Sequence, residues 1–186
     1  VNHSIADAVA FAIHTPVGTV LMTGDFKLDP TAKDGMTDLA RLGELGNQGI
    51  LALLCDSTNV ERSGYTPSEN VVAEGLDRQF KNCDNRIIVN TFAANMHRIQ
   101  SMLATAQRYG RKVAVTGRSM ENMLKVAQEL GYLKVKQGTI VDLASIKSLP
   151  KNKIVIVSTG SQGENMSALH RMAFGTHKQV DITSGD

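Results

Sequence analysis

The sequence predicts an α/β fold with a mostly parallel sheet flanked by helices. Three apolar, β-branched runs at residues 86–90, 112–116 and 154–158 alternate with segments whose apolar residues recur every three or four positions. Uninterrupted apolar strands joined by helices argue for a parallel sheet covered on both faces. A third observation lies upstream. Val20-Leu21-Met22-Thr23 runs into Gly24 and Asp25, so a strand ends by presenting a carboxylate at a stiff, well-positioned point of the chain.

The elements follow in order. Residues 9–14 and 19–23 are β-prone and separated by Thr15-Pro16-Val17-Gly18, which predicts a hairpin with His14 at its end as a surface or packing residue and not a ligand. Residues 36–46 space Leu39, Leu42 and Leu45 along one helical face, with Asp38 to cap it and Gly46 to stop it. A buried strand is expected over 50–55. Polar, turn-rich residues fill 58–67, and Ser68-Glu69 opens a helix with Val71, Val72, Leu76 and Phe80 inward. The domain boundary falls here, dividing residues 1–67 from residues 68–186. Beyond the strand at 86–90, Asn95 caps a helix carrying Ile99, Met102, Leu103 and Ala106. Ser119 opens another with Met123, Leu124, Ala127 and Leu130 inside and Gly131 past its end, and residues 166–174 form the last. Sites in such sheets gather at the carboxyl ends of the strands, here Asn90-Thr91-Phe92, Thr116-Gly117-Arg118-Ser119 and Thr159-Gly160-Ser161-Gln162-Gly163.

Composition sets bounds. In 186 residues, 42% hydrophobic and 20% charged content is that of a globular protein, which argues against disorder. No apolar run approaches the roughly 20 residues that span a bilayer, so a soluble protein with no membrane partner is expected. Cys55 and Cys83 form neither a metal-binding spacing nor a disulfide framework, which suits a reducing cytosol. A formal charge of +2 does not mark a nucleic-acid binder.

Two further stretches accompany Asp25: Asn2-His3-Ser4-Ile5-Ala6-Asp7, and the apolar run Leu53-Leu54-Cys55 ending in Asp56-Ser57-Thr58-Asn59. With Thr159-Gly160-Ser161-Gln162-Gly163-Glu164, these motifs resemble the ribonuclease J family, metallo-β-lactamase-type nucleases with an inserted β-CASP domain. The likeness covers nearly the whole chain in the order and spacing of four motifs. It implies that residues 1–67 are the end of a metallo-β-lactamase domain and residues 68–186 a β-CASP domain. The chain begins Val1-Asn2-His3 and ends Thr183-Ser184-Gly185-Asp186, which reads as the turn before another strand, so a fragment is expected. By resemblance, the family's His-x-His-x-Asp-His cluster would precede it and two further histidine motifs would follow.

His and Asp are zinc-ligand types, and a carboxylate can bridge two ions. By resemblance, His3 binds one zinc and Asp25 bridges two, activating water and steadying the phosphodiester's charge, with magnesium or manganese as other metals. Asp56 corresponds to the acidic residue of the first β-CASP motif and would orient a ligand or handle a proton. The bland alternatives are a turn-forming Asp25 and an Asx turn of Asp56 with Ser57 and Thr58. The resemblance makes Thr159, Gly160, Ser161, Gln162 and Gly163 an RNA-backbone cradle at a helix start, where backbone N–H groups meet an anion. Asn95, His97, Arg98 and Arg118 would line the same track, or else serve as caps and solvated cations; Lys27 could attract a phosphate or be a solvated lysine, and Phe92 could stack a base or be a core residue. The implied activity is 5′-to-3′ exonuclease and endonuclease action on single-stranded RNA in the cytoplasm. A homo-oligomer or other RNA-decay proteins would be its partners, and the present residues alone would bind zinc weakly and be inactive. A non-catalytic RNA- or nucleotide-binding module, or another β-CASP nucleic-acid hydrolase, are the alternatives.

Overall fold

The computed structural model describes residues 1–32, 35–184 and 186; of the turn read at the chain end, Gly185 lies outside the described residues. It comprises two compact units, residues 1–71 and 72–186. Among the described residues, no helix is long and apolar enough to cross a membrane.

In the first unit, β1 (Phe11–Thr15) and β2 (Gly18–Met22) form the expected hairpin, and β3 (Ala52–Leu54) adds to β2 in parallel. The helix α1 (Leu39–Gln48) begins where Asp38 Oδ1 accepts the Arg41 N–H at 2.9 Å. It passes through Gly46 and stops at Gly49, because a single glycine weakens a helix by only about 1 kcal/mol and does not end it. The strand expected to be buried is exposed: Leu53 and Leu54 are more than half accessible. As the edge of a three-stranded sheet, β3 has a neighbour on one side only among the described residues.

The second unit is built on a four-stranded parallel sheet in the order β4-β7-β5-β6, from β4 (Ile87–Asn90), β5 (Lys112–Thr116), β6 (Ile140–Val141) and β7 (Ile154–Ser158). The helices α2 (Glu69–Asn82), α3 (Met96–Arg108), α4 (Arg118–Glu129) and α5 (Ala168–Ala173) accompany it. Strand alternation divides the core in two. Val113, Val155 and Val157 face one cluster with Phe80, Ile99, Met102, Leu103, Met120 and Leu124, whereas Ala114, Ile154 and Ile156 face another with Ile146, Met172 and Val180. The division follows from chirality. Connections β4 to β5 and β5 to β6 step the same way along the sheet and place α3 and α4 on one face. The return from β6 to β7 steps back, and its right-handed crossover lies on the other.

Two inward assignments fail. Val71 and Leu130 are exposed, since Val71 lies in the first turns of α2, outside the cluster that takes Leu76 and Phe80, and Leu130 is the residue that ends α4. The last helix starts at Ala168, capped by Ser167, and Met166 stands outside it with a left-handed φ of 66°.

Arg86 precedes β4 and holds the chain end: its Nε donates to Asp186 Oδ1 at 2.9 Å, one terminal nitrogen donates to the Asp181 carbonyl at 2.7 Å, and that nitrogen also meets Asp186 Oδ2. Burial raises the Asp186 pKa, but the hydrogen bonds from Arg86 and Thr183 and the Arg86 charge outweigh it, so the net shift is below 3.8. A carboxyl depressed in the folded state contributes stability above its unfolded pKa, and that contribution is lost as pH falls through the folded value. Asp186→Asn, which leaves Arg86 largely buried without its anion, is expected to cost about 3 kcal/mol in denaturant unfolding at neutral pH. The difference from wild type should shrink below pH 3.8; a constant difference across the acid range would remove this pair as its source.

Candidate active site and nucleic-acid surface

The parallel register of β2 and β3 decides where the first unit's carboxylates lie. Met22 pairs with Leu54, so the residues that follow both strands emerge at one end of the sheet. Thr23 ties them together: its N–H donates to the Leu54 carbonyl at 3.0 Å, and its Oγ1 accepts the Asp56 N–H at 3.0 Å and donates to the Gly24 carbonyl at 2.8 Å. Asp25 follows directly. The N-terminal segment joins through a bridge between Asn2 and Lys27, in which the Lys27 N–H donates to the Asn2 carbonyl at 2.7 Å. Thr37 Oγ1 accepts the Asn2 N–H at 3.0 Å and donates to the Lys27 carbonyl at 2.6 Å, which pins that segment from its far side.

These bonds bring His3 to Asp25, with Nε2 and Oδ2 3.7 Å apart. Donor atoms of two ligands on one tetrahedral zinc lie about 3.3 Å apart, so imidazole and carboxylate fit two positions of such a site with little adjustment. Asp25 keeps three quarters of its side chain accessible, and the His3 side chain keeps a quarter. Two donors remain fewer than the three or four protein ligands zinc takes, and no group of three His, Cys, Asp or Glu side chains with metal-site spacing occurs among the described residues. His3 Nδ1 is buried without a hydrogen-bond partner, whereas a ligating histidine usually donates its second nitrogen to a carboxylate or carbonyl.

Asp56 lies in the same unit in the Asx turn expected of it, its Oδ1 accepting the Thr58 N–H at 2.9 Å. The backbone and side chain of Thr58, then the Phe26 backbone and the charge of His3, hold the Asp56 carboxyl below 3.8. It is therefore an anion near neutral pH, suited to accept a hydrogen bond. Lys27 pairs with Glu69 at 3.4 Å and is thus not a lone phosphate-attracting cation, and His14 is exposed on the hairpin, 3.0 Å from Thr19 Oγ1.

In the second unit, the turn from Thr159 to Glu164 follows β7, as expected, but it is not a helix start. The cap of α5 is Ser167, which accepts the His170 N–H at 3.2 Å. Two of the turn's N–H groups are already used: Gly163 donates to the Gly160 carbonyl at 3.1 Å, and Gln162 donates to Glu164 Oε2 at 3.0 Å. A carboxylate thus sits where a phosphate oxygen was expected. Gly160 has φ +116°, and a Cβ there would lie 2.4 Å from Ser167 Oγ, so this glycine lets the turn close on the start of α5. Gly163 and Ser161 are exposed. Asn95 is buried and caps α3, its Oδ1 accepting the Arg98 N–H at 3.1 Å, while His97 and Arg98 are half-buried in the first turn of that helix. Arg118 is exposed at the start of α4, and Phe92, 47% accessible, is not a core residue.

Residues 84–186 match the family model described as the β-CASP domain of ribonuclease J. The chain belongs to the ribonuclease J family. Ribonuclease J of Thermus thermophilus is 50% identical over the whole chain, which covers 32% of that protein. Ribonuclease J of Synechocystis is 47% identical over the whole chain, which covers 29% of it, and that of Helicobacter pylori strain 26695 is 46% identical, with 27% covered. The chain thus spans about a third or less of these relatives. A crystal structure of a protein of unknown function from Enterococcus faecalis shares the fold, with TM-score 0.57 and 16% identity over 88% of this chain and 41% of that one.

Reading the ribonuclease J motifs alone missed Thr23, whose hydroxyl links the strands that carry Asp25 and Asp56. At the strand end Asn90-Thr91-Phe92, which the sequence singles out, Asn90 Oδ1 and Thr91 Oγ1 are buried without hydrogen-bond partners, and Ser158 Oγ at the end of β7, which it does not single out, is a third such atom. A polar residue ending an apolar strand is the signal that points to Ser158. By carbon-detected NMR titration, Asp56 should ionise below 3.8, and Thr58→Ala should move its midpoint upward only in part, because the backbone N–H remains. Gly160→Ala should cost about 2 kcal/mol through its positive φ and the closed approach to Ser167; an unchanged melting temperature would contradict that packing role.

Proposed function

We propose that this chain serves a metal-dependent ribonuclease that hydrolyses phosphodiester bonds in single-stranded RNA, as a 5′-to-3′ exonuclease and an endonuclease of cytoplasmic RNA processing and decay. The observation that carries the proposal is the approach of His3 Nε2 to Asp25 Oδ2 at 3.7 Å, on the strand-end scaffold that also carries Asp56, in a chain of the ribonuclease J family. Zinc, with magnesium or manganese as alternatives, would supply Lewis acidity toward the phosphodiester and lower the pKa of water when bound. His3 and Asp25 would supply two of its ligands. Asp56, anionic and fixed by Thr58 and Thr23, would orient a metal ligand or accept a proton.

Single-stranded RNA is the proposed partner of the second unit. The unpartnered Asn90, Thr91 and Ser158 atoms and the exposed Arg118 favour that surface, with His97, Arg98 and the exposed residues Ser161 and Gln162 along it. The bonds of Gly160 and Gly163 favour a shaping role for the glycines over direct phosphate contact. A homo-oligomer or other RNA-decay proteins complete the proposed assembly.

In the full-length protein, Asp25→Ala is expected to abolish RNA hydrolysis and lower bound zinc, measured by atomic emission after dialysis, while RNA affinity is kept. Asp56→Asn should lower turnover with zinc content unchanged; loss of zinc would make Asp56 a ligand. Hydrolysis that persists in Asp25→Ala would leave a non-catalytic RNA-binding role for these residues.

A further inference from the structure

Strands β5 and β6 are neighbours, paired through Val113 with Ile140 and Ala114 with Val141, yet the chain leaves them toward opposite faces. After β5 it enters α4, which packs in the first core cluster; after β6 it enters the turn carrying Ile146, which packs in the second. Adjacent parallel strands whose connections diverge open a crevice at their carboxyl ends, where ligands bind in open α/β sheets. A cleft of about 770 Å³ occupies that place, and small-molecule sites range over roughly 300–1,000 Å³. Leu124, Ile140 and Leu143 give it an apolar wall, and Lys125, Arg171 and Lys178 bring cations to it.

Arg171 is the informative side chain. Among the described residues its guanidinium has no ion-pair or hydrogen-bond partner, and its Nε is buried. A guanidinium cannot escape desolvation by losing a proton, and its planar fork matches the oxygens of a phosphate. Glu121 and Asp142 also line the cleft, but neither forms an ion pair with Arg171. Lys125 lies 4.0 Å from Glu129, an exposed pair. His177 does not supply the anion either. Its Nδ1 accepts the N–H groups of Gln179 at 3.3 Å and Val180 at 3.2 Å, which places its proton on Nε2, 3.0 Å from Thr116 Oγ1. Burial and then the Arg171 charge hold its pKa below 6.5, so it stays neutral beside the guanidinium.

We propose that this cleft binds a free organic phosphate of nucleotide size, with its phosphate on Arg171 and its body against Leu124, Ile140 and Leu143. The cations and the apolar wall are both required by a ligand that is anionic at one end and apolar at the other. All of the residues that line it belong to the second unit.

Calorimetric titration of the protein with UMP, AMP, inorganic phosphate and uridine tests the assignment. Saturable binding of UMP or AMP is expected, with phosphate and uridine each weaker. Arg171→Gln should weaken nucleotide binding by about tenfold to a hundredfold, the worth of a charge-assisted hydrogen-bonded pair. Should that variant fail to fold, two exposed positions carry the test: Lys178→Gln should weaken binding, and Ala144→Trp should obstruct the cleft while leaving its charges. The proposal is overturned if neither nucleotide saturates, if inorganic phosphate binds as tightly as UMP, or if folded variants keep wild-type affinity. Displacement of UMP by a single-stranded RNA oligonucleotide would also overturn the free-ligand assignment and make the cleft part of the RNA surface.

Discussion

Strand β7 is the member on which the second unit depends. All five of its residues, Ile154 to Ser158, are buried, and it is hydrogen-bonded to β4 on one side and β5 on the other. A strand so enclosed must have its backbone polar groups satisfied by both neighbours and both faces covered by helices, because an unpaired buried amide has no water to turn to. Its alternating side chains therefore divide the core into two layers, and the connections must run to both faces. The same requirement leaves crevices at the carboxyl ends of the sheet, where the chain leaves neighbouring strands in different directions.

The first unit solves a smaller problem by similar means. Its parallel pair of strands is short and β3 is exposed, yet the strand ends are fixed by a threonine hydroxyl that both accepts and donates. The carboxylate of Asp56 is oriented by Thr58 and that of Asp25 by its place directly after Gly24, with the N-terminal segment tied to the same edge. Positioning by backbone and hydroxyl leaves the side chain of Asp25 three quarters accessible.

The turn after β7 shows how a motif can keep its sequence and change its physical reading. Its glycines and small polar residues have the composition of an anion cradle, but Glu164 takes one N–H and a carbonyl takes another. The left-handed Gly160 instead permits close approach to Ser167, in a space that any side chain would fill. What the motif specifies is thus a tight return of the chain onto α5, from which exposed groups such as Ser161 are presented.

The sequence by itself determined the α/β class, the strand at 154–158 and the buried faces of α3 and α4, since period and β-branching are local properties that burial selects. It also determined the caps at Asp38 and Asn95 and the Asx turn at Asp56, all closed within a few residues. Only the tertiary structure decided the strand order, which sets Val113 beside Val155 from a distant segment, and hence the opening of the cleft with Arg171. The approach of His3 to Asp25 likewise depends on long-range bonds from Asn2 to Lys27 and Thr37 that no local pattern encodes. The exposure of β3 and of Leu130 escaped the sequence for a related reason: hydrophobic spacing states which side of an element is apolar, whereas burial depends on whether another element comes to cover it.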